Sequence, residues 1–199
     1  MTRIRLTDKE KSRIIVDDIL LPSLQRLYKS DYQNILYNVS ERNICARLAH
    51  HMENIMRSYD VDYKHNLFED YYADVEYNRM GRGGLKYYAN NEHKLQYMVS
   101  DLIIQSRGRS RNYLAVELKK KGNTQNADDD RKRLMKLVSS SPSGFESRCV
   151  YDTLVGAFIV YSKDDVKIEI YENVGGDGDG IMTNVILLSY DYKKGLLNI

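Results

Sequence analysis

The run Leu154-Val-Gly-Ala-Phe-Ile-Val-Tyr161 is apolar throughout. A strand that faces water on one side alternates polar and apolar residues. This run does not, so it predicts a central β-strand covered on both faces. The rest of the chain supplies the covers. Residues 126–139 predict a charged helix with Leu134, Leu137 and Val138 turned inward. Thr7-Asp8-Lys9-Glu10 is a capping-box pattern. Behind it Ile14, Ile15, Ile19, Leu20, Leu24 and Leu27 recur at helical spacing, with Pro22 expected to kink or split the helix. A further helix is expected from Ser40, a good N-cap, with Ile44, Leu48, Met52, Ile55 and Met56 as its buried stripe. Residues 57–70 are polar and read as loop.

Several segments carry strand signals. Residues 72–78 alternate, with Ala73, Val75 and Tyr77 on one face and Asp74 and Glu76 on the other. Gly81-Arg82-Gly83-Gly84 reads as a flexible loop. Residues 99–105 and 112–119 read as two strands joined by a hairpin turn over Ser106 to Arg111. Val166, Ile168 and Ile170 alternate as an edge hairpin strand would, and Val185 to Tyr190 reads as the last strand. The expected fold class is therefore α/β, with a mixed central β-sheet flanked by helices. At 199 residues the chain can bury a core as a single domain, 1–199, without internal repeat or linker.

The hairpin carries the chemistry. On its second strand Leu114, Val116 and Leu118 point one way, and Tyr113, Ala115, Glu117 and Lys119 the other. On its first strand Asp101 leads into Leu102-Ile103-Ile104, so antiparallel pairing can set Asp101 beside Glu117. Two such carboxylates repel unless a cation lies between them. Carboxylates with water completing the shell suit magnesium, and a lysine alongside can neutralise a phosphate or orient the attacking water. Glu-x-Lys alone carries little weight, since roughly one is expected by chance in such a chain. Glu92-His93-Lys94 and the related Asp165-Val166-Lys167 occur here too. Only Glu117 has Asp101 behind it, a turn between, and a helix and an apolar strand after it.

Ser100-Asp101-Leu-Ile-Ile followed by Tyr113-Leu-Ala-Val-Glu117-Leu-Lys119 resembles the core of the PD-(D/E)XK nuclease superfamily, which has a restriction-endonuclease-like fold. Ser100 stands where the family usually has proline, a departure many members share. Asp74-Val-Glu76-Tyr77-Asn78-Arg79 and Asp130-x-x-Arg133-Leu134 are similar to patterns of an uncharacterised bacterial branch. The resemblance covers residues 40–161, leaving 1–39 as a helical extension and 162–199 as C-terminal strands. It implies Mg2+, with Mn2+ as a substitute, bound by Asp101, Glu117 and the main-chain carbonyl of Leu118. It implies a water-positioning and charge-stabilising role for Lys119. Glu41 would hold a metal-bound water or a second ion, and Glu76 and Arg79 would orient Lys119 or meet a phosphate. The implied activity is metal-dependent hydrolysis of DNA, with RNA second, in a bacterial cytoplasm. A catalytically silent nucleic-acid-binding or assembly protein is the alternative. Many members of this fold dimerise to cut two strands, so a homodimer is among the expectations, with the tail from Val174 as its pairing edge.

Each feature also has a plainer reading. Asp101, Glu117 and Lys119 can form a solvated strand face with a weak cross-strand ion pair. Glu41 can be a helix N-terminal charge, and Asp74 and Glu76 an exposed strand face. Net charge is only +2, so a nucleic-acid partner must be met by a local basic surface. The candidates are Arg107, Arg109 and Arg111 on the turn, Lys120 and Lys121 after Lys119, and Arg131-Lys132-Arg133 on the helix, where solubilising charge is the favoured reading. Cys45 and Cys149 give neither a disulfide framework nor zinc spacing. His50 and His51 point about 100° apart on a helix and do not easily share a metal. Gly175-Gly-Asp-Gly-Asp-Gly180 lacks the repeat period of calcium-binding turns and reads as a hairpin loop. No phosphate-binding loop, dinucleotide fingerprint, signal peptide or membrane-spanning run is present.

Overall fold

The computed structural model describes residues 6–63, 66–76, 99–106, 111–123, 125–139, 153–173 and 180–198, with the backbone of four strand fragments between 79 and 97. The first helical run is continuous through three windings. Helix α1 (Asp8–Arg13) begins at Thr7, whose side chain and that of Glu10 close the capping box. A π-helix (Ile14–Leu20) follows, then α2 (Leu21–Ser30) with Pro22 in its first turn. Proline brings no N–H to the ladder. The chain accommodates it by widening, with the Leu21 N–H reaching back to Val16 O, rather than by breaking. A short α3 (Tyr32–Leu36) then leads to α4 (Glu41–Asp62), capped by Ser40.

Helix α4 corrects the expected loop at 57–70, because it runs to Asp62. Its polar end is engaged in tertiary contacts. Arg57 donates to the carbonyls of Phe68 and Tyr71 at 2.9 and 2.6 Å, and Asp60 accepts from the N–H groups of Leu67 and Phe68. Higher up, Asp31 at the end of α2 accepts from Arg47 at 2.7 Å and lies 2.6 Å from His51 Nε2, which pins the helices together. His51 is thus committed to Asp31.

The remaining elements are β1 (Tyr71–Val75), β2 (Arg79–Met80), β3 (Gly84–Leu85), β4 (Tyr87–Ala89), β5 (Leu95–Tyr97), β6 (Leu102–Ser106), β7 (Leu114–Lys120), α5 (Ala127–Val138), β8 (Val155–Tyr161), β9 (Asp165–Glu172), β10 (Ile181–Asp191) and β11 (Leu196–Asn198). Seven strands form one mixed sheet in the order β1-β6-β7-β8-β9-β10-β11. Only β7 and β8 run parallel, and α5 makes the crossover between them. The apolar run predicted as central is β8, fourth of the seven. Two small ladders, β2–β3 and β4–β5, stand apart from it, where the sequence suggested loop and polar stretch. Residues 81–83, within the expected glycine loop, lie outside the described residues.

Two C-terminal expectations are corrected. β9 is interior, lying between β8 and β10, and β11 rather than β10 is last. β11 flanks β10 only over Ser189–Asp191. The outer edge of β10 before Ser189 has no partner strand among the described residues.

The sheet separates two cores. On one face Leu102, Ile104, Leu114, Val116, Leu118, Val155, Ala157 and Ile159 pack under the N-terminal helices. On the other, Leu134, Leu137 and Val138 of α5 pack on Ala115, Phe158 and Tyr171. Each of the Leu, Ile, Val and Phe side chains among these contributes about 1.5–3 kcal/mol by leaving water. Two glycines let α5 sit this close. A Cβ on Gly156 would lie 3.3 Å from Val138 Cγ1, and one on Gly180 only 1.8 Å from Val138 Cγ2. Gly180 also donates its N–H to Met135 O at 2.9 Å, locking β10 to the helix end. Gly180→Ala is expected to destabilise the fold by about 1–3 kcal/mol, because valine is stiff and cannot swing clear. Thermal melts would check this, with Val138→Ala added to Gly180→Ala recovering part of the loss.

Candidate active site

The β6–β7 register sets Leu102 opposite Val116 and Ile104 opposite Leu114. One step outward, Asp101 is level with Glu117. Asp101 occupies the bend before β6 and is tied on both sides. Its carbonyl accepts from the Glu76 N–H at 3.1 Å, and its Oδ2 accepts from the Leu118 N–H at 2.8 Å. The carboxylate therefore reaches β7 at the residue between Glu117 and Lys119.

Glu117 shares the face of Ala115 and lies under α5, where it is only 1 % exposed. This excludes the solvated strand face for that residue. Helix α5 meets it with two groups. Arg133 donates from Nε to Glu117 Oε1 at 2.8 Å and from Nη2 to Asp130 Oδ1 at 2.5 Å. Lys119 Nζ lies 3.0 Å from the other oxygen of Asp130, an ion pair whose angle leaves that oxygen without a directed hydrogen bond. Asp130 thus joins Arg133 to Lys119, and it is itself buried.

The electrostatics separate this cluster from an ordinary buried ion pair. Burial pushes the Glu117 carboxyl up to about 8, against the hydrogen bond and charge of Arg133 and with the help of Asp101 and Asp130. Asp101 is raised too, by burial, despite the Leu118 N–H, Lys119 and Arg133. Burial works to lower Lys119, but Asp130, then Asp101 and Glu41, hold it above the ordinary lysine value. It stays an ammonium and cannot serve as a base at neutral pH.

Glu169 provides the internal comparison. It lies across Phe158 from Glu117 in the same sheet row and is also buried, though less deeply. Burial pushes it up as well, but Arg131, Lys167 and the Tyr171 hydroxyl bring it down to about 2. Arg131 alone gives it two bonds, at 2.7 and 3.2 Å, while its guanidinium stacks 4.2 Å from the Phe158 ring centre. Glu169 is held as an anion, whereas burial favours the proton on Glu117. The site holds the carboxyls Asp101, Glu117 and Asp130 against the cations Lys119 and Arg133. Among these five groups the acids outnumber the cations by one, and burial favours a proton on Glu117. This donor set, all oxygen and deficient in positive charge, fits a divalent cation with hard-ligand preference. No three His, Cys, Asp or Glu side chains among the described residues already converge on one ion-sized point.

The other expected residues divide into two groups. Glu41, first in α4, accepts from the Lys120 N–H at 2.9 Å and from Asn123 Nδ2 at 3.1 Å. It ties the helix start to the end of β7, beside the cluster. Glu76 falls outside β1, in a left-handed conformation with φ 51°, and pairs with Arg42 at 3.0 Å. Asp74 accepts from Gln105 Nε2 at 2.9 Å. Lys120 and Lys121 follow Lys119 at the site end, with partners in Asn38 and Asp165. Arg111 is not brought to the site. A hairpin turn lies at the opposite end from its open strands, so Arg111 is six residues from Glu117, about 20 Å along an extended chain. It pairs instead with Asp8 of α1 at 2.7 Å. Arg107, Arg109 and the Arg79 side chain lie outside the described residues.

The roles of Asp130 and Arg133 in closing the site were not foreseen. A signal existed, because Asp130 falls on the same helix stripe as Leu134, Leu137 and Val138, where an acid requires a partner. No family model, curated protein or solved structure matches this chain. No helix among the described residues is long and apolar enough to cross a membrane.

A pH-dependent contribution to stability follows. A carboxyl raised from 4.5 to about 8 on folding supports the fold fully below pH 4.5 and loses that support as pH rises through about 8. Glu117→Gln is expected to melt like the natural protein at pH 4.5 and at least ~3 °C higher at pH 9. Melting curves across that range would decide it, and an equal offset at both pH values would refute it.

Proposed function

We propose that this protein is a metal-dependent nuclease with a restriction-endonuclease-like core, hydrolysing phosphodiester bonds of DNA in preference to RNA. The observation that carries the reading is the convergence of Asp101, Glu117 and Lys119 at one end of the β6–β7 hairpin, in a cluster short of one positive charge. The element order supports it: a long helix, antiparallel strands, then a crossover helix to a parallel central strand.

Asp101 and Glu117, with the main-chain carbonyl of Leu118, would hold Mg2+ or Mn2+, which supplies Lewis-acid polarisation of the phosphate and a more acidic water. The protein's own residues do the rest. Asp130 fixes the Lys119 ammonium, whose permanent charge stabilises the negative charge that builds on the pentavalent phosphorus. Asp101 is held rigidly by the Leu118 N–H, so its free oxygen is pre-oriented. Arg42, Lys120 and Lys121 lie at this end, and exchange of their present partners Glu76, Asn38 and Asp165 would free them for phosphate contacts.

One observation favours a second reading. Glu117 and Asp130 are both engaged by Arg133, an arrangement that also suits a nucleic-acid-binding module without turnover.

Purified protein incubated with plasmid and single-stranded DNA, with Mg2+, Mn2+ or chelator, separates the two. Metal-dependent cutting is expected, falling by about 10²–10³-fold in Lys119→Ala and at least as far in Asp101→Ala. Tight DNA binding without cutting under any metal would select the second reading.

A further inference from the structure

We infer that Arg133 is the resident counter-cation of the site and competes with the divalent ion for Glu117, so that metal binds as the guanidinium leaves. The inference rests on the metal-site reading above and adds its regulation.

Arg133 Nε lies 2.8 Å from Glu117 Oε1. A divalent ion on the same carboxylate would stand within a few ångströms of the guanidinium, and that repulsion is strong where water is excluded. The two therefore compete for the charge of Glu117. Arg133 also has a way out. Its side chain is 25 % exposed while Glu117 is 1 % exposed, so it forms the solvent-facing lid of the buried acid. Its second partner, Asp130, is three residues away on the same helix and moves with it. Arg133 can therefore release Glu117 and remain anchored. A freed guanidinium edge is suited to a phosphate oxygen, so the group that blocks the metal would become a substrate ligand.

Arg131, two residues earlier, has no such freedom. It gives two bonds to Glu169 and stacks on Phe158. Asp130, Leu134, Leu137 and Val138 form the stripe facing the sheet, and at 100° per residue the two arginines flank it on opposite sides. One is locked to a satisfied acid. The other gives Glu117 a single bond.

The test titrates the full chain with Mn2+ by calorimetry at pH 8, beside Asp101→Ala, Arg133→Gln and Arg133→Lys, with melting curves for each. Glutamine removes the charge but can still donate to Glu117. Lysine keeps the charge but cannot bridge two acids. Arg133→Gln is expected to bind Mn2+ at least tenfold more tightly than the natural protein, with a larger Mn2+-induced rise in melting temperature. Arg133→Lys should fall between them, and it carries the test if the glutamine variant does not fold. Binding seen only in Arg133→Gln would support the inference in its strongest form. Equal or weaker binding by both arginine variants, with Asp101→Ala inactive in binding, would overturn the inference and leave the metal site standing. Absence of binding in every protein, or binding undiminished in Asp101→Ala, would remove both.

Discussion

Helix α5 is pressed onto a sheet face that buries two glutamates, and neither could stay there without it. An uncompensated carboxylate under a helix costs several kcal/mol, and removing one partner of a buried pair typically costs about 3–5 kcal/mol. Glu117 and Glu169 are covered by the same helix, which brings Arg133 to one and Arg131 to the other. The close approach at Gly156 and Gly180 sets the helix at the height where both guanidinium groups reach. Apolar packing of Leu134, Leu137 and Val138 holds it at that height. Structure and site share one support.

The two acids divide the labour of that face. Glu169 receives Arg131, Lys167 and Tyr171 and is stabilised as an anion, as a structural ion pair should be. Among the described residues Glu117 receives only Arg133, which it shares with Asp130, and it feels Asp101 as well. Perturbation of this kind is costly to a fold and has no packing rationale, since an apolar residue would fill the same place without penalty. Such residues concentrate where chemistry is done. The contrast within one sheet row, across Phe158, is the main reason to read Glu117 as functional and Glu169 as structural.

Much of this was legible in the sequence, for local reasons. The β6–β7 hairpin, the capping box, Ser40 and the central strand all follow from periodicity or from residues that satisfy their own neighbours. Failures came where polar residues are answered from a distance. Arg57 and Asp60 looked like loop, yet they hold the backbone of 67–71 from within α4. The alternation of Val166, Ile168 and Ile170 suggested an edge strand, yet β9 is interior and its Glu169 is buried against Arg131. Arg111 was near the site in sequence but lies at the wrong end of the hairpin. The Asp130–Arg133 spacing was visible, but the partner across the crossover was not.

The same logic explains why the cluster rests closed. Asp101, Glu117 and Asp130 lie together because three elements converge: the start of β6, the end of β7 and the inner stripe of α5. With two cations among three acids, the protein can complete the balance in two ways. A proton on Glu117 serves near neutral pH, with Arg133 as its lid. On the proposed reading, a divalent ion would take the place of both the proton and the lid. In the structure the cluster carries its own counter-charge in Arg133. It keeps a buried acid from unfolding the sheet beneath α5, and it leaves that acid available to a stronger ligand.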